Sequence, residues 1–354
     1  MTASQPLPPR NPDPRPSVRR RAIVTASRLV LAAISIIAIV EWLLLIFRPE
    51  AGMAGVLQVL APHLALVGLV LVPVGLLARR RVPVATTALL VVAVALRFGS
   101  DWLSLPAAAA STDAIRLNVI SWNLEVGSRP GIDSAAMLRD HPADIVALQE
   151  LRPNAAAAIE ADAVLTRQYP FRVLVPRGDV GGMGLLSRMP LSGTSFRLNP
   201  IVQEATVDLG GGRKVAIVNA HPFHAEFDTI GSTQVPLGID PTRRNADLVT
   251  IRGRIDALVR QGLQTVMLGD LNTAASEPAF DRFVEGLRDV HRELGFGPGW
   301  TWRPIRLEFL GFGLVRIDHV VVSPDIVPTS IDVTCPSIGD HCLVSAGLAL
   351  KPGG

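Results

Sequence analysis

Three long apolar runs crowd into the first 103 residues, and nothing like them recurs in the rest of the 354-residue chain. Leu29–Phe47 carries one charge, Glu41. Leu60–Ala78 carries no Asp, Glu, Lys or Arg, and Val82–Leu96 extends past Arg97 to Leu103. A bilayer-spanning helix needs about 20 mainly apolar residues. The first two runs qualify as they stand, and the third qualifies if Arg97 snorkels or pairs with Asp101 one turn on. A secretory leader would show one apolar region and a small-residue cleavage site, not three runs in succession.

The arginines orient these spans. Arg10, Arg15, Arg19, Arg20 and Arg21 precede the first, and Arg79, Arg80 and Arg81 separate the second from the third. The loop between the first two has only Arg48, offset by Glu50. Positive charge stays in the cytoplasm, so an odd number of spans leaves everything after Leu103 outside the plasma membrane. The expected organisation is a disordered basic cytoplasmic tail over 1–21 and three transmembrane helices over 22–103. A short Ala-rich linker over 104–114 then leads to one folded domain over 115–350.

Composition supports the division. Hydrophobic residues make up 49% of the chain, charged residues 18%, and the mean hydropathy is +0.36. Residues 1–111 hold 11 arginines and 4 acids, whereas the remainder holds 27 acids against 23 basic residues. The pI near 9.4 therefore belongs to the membrane third, and the domain is net acidic. That excludes a generally basic nucleic-acid-coating surface. Two cysteines exclude a disulfide scaffold or a Cys-rich zinc fold. Lys214 and Lys351 stand beside 32 arginines, a usage that suggests a GC-rich bacterial genome.

Beyond the linker, short apolar runs broken by Gly and Pro alternate with helical patterns. Strands are expected over Arg116–Trp122, Asp144–Leu148, Phe171–Val175, Gly184–Ser187, Thr194–Leu198, Gln203–Leu209, Val215–Ala220, Thr265–Leu268, Arg316–Val322 and Val344–Leu350. Helices are expected over Ser134–Asp140, Pro153–Leu165, Pro241–Arg260 and Pro278–Gly286; in the third, Leu248, Ile251, Ile255, Leu258 and Val259 make one apolar face. The pattern predicts an α/β sandwich with mixed sheets.

Five of these strands end in polar residues that packing does not require: Asn123, Gln149-Glu150, Asn219 with His221, Asp270 with Asn272, and Asp318-His319. A sixth group, Asp340-His341, precedes the last strand. Each has a bland alternative as a turn cap, an exposed acid or a satisfied core histidine. Six at strand ends point instead to one cleft, because α/β folds gather ligands there. Carboxylate and amide oxygens suit Mg2+ or Mn2+, and neutral histidines move protons near pH 7. The combination fits metal-assisted in-line displacement at phosphorus.

The ordered segments SWNL, DIVALQE, LLSRMPL, VNAHP, MLGDLNT, RIDHVVVS and GDHCLVSAGLAL resemble the endonuclease/exonuclease/phosphatase superfamily across about residues 115–350. The resemblance implies a four-layer sandwich of two β-sheets flanked by helices. It implies that Glu150 is the main Mg2+ ligand, with Asn123 and Asp340 close to the metal. Asp270 and Asn272 would orient the attacking water and bind phosphate. His341, steered by Asp318, would be base or phosphate contact, and His221 would stabilise or protonate the opposite side. Arg188 would be structural. Two positions depart from the pattern: Gly339 stands where the family usually has serine, and Asp179 is the only acid near Arg177–Gly184 able to partner His221.

Substrate is less constrained. A lipid headgroup or another phosphoester outside the membrane, a nucleic acid, and an inactive membrane-tethered binding module all remain open. Arg243, Arg244, Arg252 and Arg254 form either a basic strip for a polyanion or a solvated helix face. Cys335 and Cys342 bracket Asp340-His341 and are either two buried thiols or, in an oxidising compartment, a disulfide clamping that turn.

Overall fold

The computed structural model describes residues 18–77, 81–103, 111, 113–125, 132–229, 236–337 and 339–351. The basic tail up to residue 17, Arg79 and Arg80, and most of the 104–114 linker lie outside them.

Three helices open the chain: α1 over Val18–Phe47, α2 over Gly52–Leu77 and α3 over Arg81–Trp102. All three are long and apolar enough to cross a membrane. The second begins eight residues before the expected Leu60, because Gly52–Val59 continues the apolar helical pattern behind a left-handed Gly52 (φ 63°). The chain divides into two compact units, Met1–Trp42 with His63–Val94, and Leu43–Pro62 with Ala95–Gly354. In the first, a Cβ on Gly68 would come within 2.7 Å of Leu90, the close approach that small residues give packed helices.

In the second unit, β1 (Ile115–Asn123) leads through α4 (Ile132–Asp140) to β2 (Ile145–Gln149). Then come α5 (Pro153–Ala161), α6 (Ala163–Gln168), β3 (Phe171–Val175) and β4 (Met183–Ser187). A second run of strands follows: β5 (Leu191–Leu198), β6 (Ile201–Gly210), β7 (Arg213–Ala220) and a ribbon of β8 (Glu226–Thr229) with β9 (Pro236–Asp240). Next are α7 (Thr242–Arg260), β10 (Gln264–Asp270), α8 (Pro278–Val284), β11 (Arg288–Asp289) and α9 (Val290–Leu294). A 3-10 turn over Ile305–Leu310 precedes β12 (Asp318–Val322), β13 (Val327–Thr334) and β14 (Leu343–Leu350).

Two six-stranded mixed sheets result, ordered β13-β14-β1-β2-β4-β3 and β11-β12-β10-β7-β6-β5. In each, one parallel pair lies among antiparallel neighbours, β1 with β2 and β10 with β7. Their facing sides make the central core, with Val119, Ile145 and Leu348 meeting Val215, Ile217 and Leu268. The outer face of the first sheet is covered by Leu138, Ala156, Ile159 and Leu165, that of the second by Leu248, Ile251, Ile255 and Phe280. This is the four-layer α/β sandwich expected.

One expected helix, Pro153–Leu165, is instead two. The Asp162 side chain accepts from the N–H groups of Val164 and Leu165, so it caps a new helix where the apolar pattern alone suggested continuation. β8, β9, β11, α9 and the edge strand β13 were not expected; they are short or half-exposed and carry weak period-2 signal.

A buried ionic cluster supports the end of the second sheet. Asp289 meets Arg316 at 2.8 Å, and the neighbouring His291 and His319 are enclosed. Burial and the nearby Arg316 lower both histidines to about 3. Both therefore stay neutral when folded, whereas an unfolded chain protonates them below about pH 6.5. Between pH 6.5 and 3 the unfolded state binds more protons, so stability falls as pH falls, by up to about 1.4 kcal/mol per histidine per pH unit. Thermal unfolding from pH 7.5 to 4.5 should show Tm dropping, with the drop reduced in His319→Gln; a flat profile would refute it.

Candidate active site

The chemistry-bearing residues gather because both parallel pairs run toward one edge of the sandwich. Asn123 closes β1, Glu150 follows β2, His221 follows β7 and Asp270 closes β10. Asp318 arrives differently from expectation. It opens β12 rather than ending it, and reaches the same edge because β12 is antiparallel to β10, setting Asp318 opposite Asp270. Close approach of β10 to β7 requires Gly269, where a Cβ would fall 1.9 Å from the Ala220 carbonyl oxygen.

The side chains converge on Asp270. The Asn123 amide donates to it at 3.0 Å and to Glu150 at 3.2 Å, while its own oxygen accepts from the Glu125 N–H. His221 Nε2 lies 3.6 Å from both Glu150 and Asp270, and His341 Nε2 lies 3.6 Å from Asp270 and 3.8 Å from Asp340. The Asn272 N–H donates to Asp270 at 2.8 Å, and its side chain donates to the Pro222 carbonyl at 3.0 Å. Glu125, Glu150 and Asn272 all hold positive φ, at 55°, 53° and 49°. Such strain in non-glycine residues collects at functional sites.

His341 is held by Asp318 through Nδ1 at 3.0 Å. Burial disfavours its charge, but Asp318, Asp270 and Asp340 outweigh burial and raise it to about 10. It is therefore an imidazolium at neutral pH, a donor and a positive charge. Burial raises Asp270 to about 6, with His341 pulling the other way. His221 donates from Nδ1 to the Val180 carbonyl at 3.1 Å, which turns Nε2 to the acids. Asp179 does not take that partnership. It is forked by Arg177 at 2.8 Å on the exposed surface, which leaves the backbone carbonyl to orient the ring.

Behind the site, Gln149 and Asn219 face inward. Gln149 donates to Asn219 at 2.7 Å, and Asn219 donates to the carbonyls of Leu148 and Gly184, pinning one sheet to the other. Arg188 pairs with Asp144 at 3.3 Å. Sequence reasoning passed over Glu125 and Trp302. Burial and Asp340 raise Glu125 to about 7, and Trp302 Nε1 donates to Asp340 at 2.9 Å. The only sequence signal for Glu125 was an acid two residues beyond Asn123; Trp302 gave none.

The donor set fits a divalent cation. Glu150, Asp340 and Glu125 crowd together, and one Asp340 carboxylate oxygen is buried without a hydrogen-bond partner. Asp270, Asp318 and His341 also lie close enough to share an ion. Asp318 and His341 already bond each other, however, and a protonated imidazole is no ligand. The Glu150–Asp340 side is thus the better seat.

Cys335 and Cys342 form a disulfide beneath the Asp340-His341 turn. Arg303 adds bonds from its backbone N–H to the Asp340 carbonyl at 2.9 Å and from its side chain to the Pro336 carbonyl. The Cys335→Ser/Cys342→Ser variant should stay folded but lose stability of about 2–3 kcal/mol, with turnover lowered more than substrate binding. Unchanged Tm and turnover would dismiss the clamp.

The endonuclease/exonuclease/phosphatase family model matches residues 120–341. No curated protein matches the chain by sequence. Among solved structures, an endonuclease/exonuclease/phosphatase protein from Bacteroides vulgatus is 17% identical, with TM-score 0.50, covering 67% of this chain and all of its own. A functionally unknown conserved protein from Enterococcus faecalis is 15% identical, with TM-score 0.51, over 66% of this chain and all of its own. TDP2 of D. rerio, solved with a single-strand DNA product, is 16% identical, with TM-score 0.49, over 66% and 98%. The first two likenesses speak to the fold alone.

Proposed function

Because the chain belongs to the endonuclease/exonuclease/phosphatase family, a superfamily of metal-dependent phosphoesterases and nucleases, we propose that it is a membrane-anchored phosphoester hydrolase working outside the cytoplasm. The observation that carries the reading is the convergence of Asn123, Glu150, His221 and His341 on one buried carboxylate, Asp270. Glu150 and Asp340, with Asn123 beside them, would hold Mg2+ or Mn2+, which when bound supplies positive charge to a phosphoryl oxygen.

The chain's own groups do the rest. Asp270, held by Asn272 and with its carboxyl raised to about 6, takes a proton from the attacking water. The water oxygen bonds to phosphorus as the P–O bond to the leaving alcohol breaks. The His341 imidazolium, fixed by Asp318, donates to a phosphoryl oxygen and neutralises charge that grows there. His221, with Nε2 3.6 Å from Asp270, takes on the proton that Asp270 removed from the water and passes it to the departing alkoxide, so the alcohol leaves neutral. Asn272 orients the base.

Full-length protein in detergent should hydrolyse bis-p-nitrophenyl phosphate or p-nitrophenyl phosphate with Mg2+ or Mn2+. Turnover of neither with either metal would end the proposal. Location follows from the arginine distribution around the spans. Alkaline phosphatase fused after Gly354 should be active and a fusion at Arg80 inactive; the reverse would overturn the orientation.

A further inference from the structure

We propose that the cleft takes its phosphoester from lipid headgroups in the bilayer surface, so that membrane phospholipids and related lipid phosphoesters are the substrate class. This rests on the hydrolase reading above and on where the catalytic loops are tied. The ends of the candidate spans, Leu43–Phe47, Gly52–Pro62 and Ala95–Trp102, belong to the same compact unit as the sandwich.

Both loops that carry site residues toward this region are fastened to the first turns of α2. The Asp270–Asn272 loop continues to Ser276, whose carbonyl accepts from Gln58 at 2.8 Å. The His221 loop continues to Ala225, which packs with Val56 and Ile239. Four residues separate Asn272 from Ser276 and His221 from Ala225, so neither site residue lies more than about 14 Å of chain from the helix. Gln58 is six residues inside the candidate span Gly52–Pro73, roughly 9 Å along the helix axis. The site loops are thus tied to the first two turns of a candidate span, which places the cleft beside the bilayer surface. Gln58 is a polar residue in an apolar helix, 3% exposed, and its amide Nε2 donates into the domain.

Other ties repeat the arrangement. Glu50 pairs with Arg282 at 2.6 Å and accepts from Asn245 at 2.9 Å; Arg48 meets Asp281. At the end of α3, Asp101 pairs with Arg292 at 3.1 Å and the Trp102 carbonyl accepts from Gly297 at 3.0 Å. Beside these ties stand uncovered apolar side chains. Phe296, next to Gly297, is 83% exposed, and Phe227 on the β8–β9 ribbon, which packs on the start of α2, is 52% exposed. Exposed rings of this kind are apolar groups that bury into a bilayer surface. A nucleic acid finds less to hold: Arg244, Arg252 and Arg254 on α7 are engaged by Glu277, Asp256 and Glu204, and Arg243 lies over Phe223.

The test uses the full chain reconstituted in vesicles of phosphatidylglycerol and phosphatidylethanolamine, with sphingomyelin and phosphatidylinositol phosphate added. A fluorophore on Phe296→Cys should be quenched by lipid-borne nitroxide and shielded from aqueous iodide. Phosphoester in the vesicles should be hydrolysed in preference to supercoiled plasmid. Phe227→Asp/Phe296→Asp should lower vesicle hydrolysis about tenfold or more while bis-p-nitrophenyl phosphate turnover stays within about twofold. Iodide access at position 296, or plasmid cleavage without lipid hydrolysis, would overturn this inference and leave the hydrolase reading intact. Loss of turnover on every substrate would instead overturn the hydrolase reading.

Discussion

Glu150→Gln should remove nearly all phosphoester turnover at ordinary Mg2+ concentrations, with partial recovery as Mg2+ is raised. The substitution keeps shape and hydrogen bonding but removes one negative charge from the site, where hard cations are held by carboxylate charge. His341→Ala should lower kcat by about 10^2–10^3, the usual loss when one donor to a developing oxyanion is removed. Its metal requirement should not change, because His341 is bonded to Asp318 and protonated. The separation matters: Glu150→Gln moves the metal dependence, His341→Ala moves kcat. Wild-type turnover in either variant would detach the cluster from catalysis.

Glu277→Ala should produce the largest loss of stability. Arg244 is 2% exposed, and its guanidinium is held by Glu277 at 2.6 and 3.1 Å and donates to the Asn272 carbonyl at 3.0 Å. Glu277 also accepts from the Ala274 N–H at 2.7 Å, bracing the same loop. Removing one partner of a buried ion pair leaves an unpaired charge and costs about 3–5 kcal/mol. In a domain of this size that is a Tm drop of roughly 10 °C. Asn272 should lose its fixed position as well, so kcat should fall even below the new Tm. Glu277→Gln should recover part of both. A Tm within 2 °C of wild type, by an order-of-magnitude reading of these contacts, would show that the pair does not brace the loop.

The sandwich was legible because its central strands are apolar runs with polar residues at their ends, a pattern that survives without any knowledge of pairing. Asn123, Glu150, His221, Asp270, Asn272, Asp318, Asp340 and His341 were all named from sequence, and the fold brings them to one edge. What sequence could not supply is geometry between distant residues. Asp318 needed the antiparallel register of β12 to reach its place. Asp179 was plausible by proximity, yet a local Arg177 fork takes it and Val180 orients His221. The arginines of α7 read equally as a basic strip or a solvated helix face until their acids appeared from β6, the α8 approach and the helix itself. The ties between α2 and the site loops, Gln58 with Ser276 and Val56 with Ala225, lie 218 and 169 residues apart in sequence, and only folding reveals them.

The central claim is that this strand-end cluster is a divalent-metal phosphoesterase centre. The most direct measurement strips the full-length protein of metal with EDTA and follows bis-p-nitrophenyl phosphate hydrolysis as Mg2+ or Mn2+ is returned. Turnover should vanish in the stripped protein, return with metal, and fail to return in Asp270→Asn. Hydrolysis that persists unchanged through chelation would contradict it.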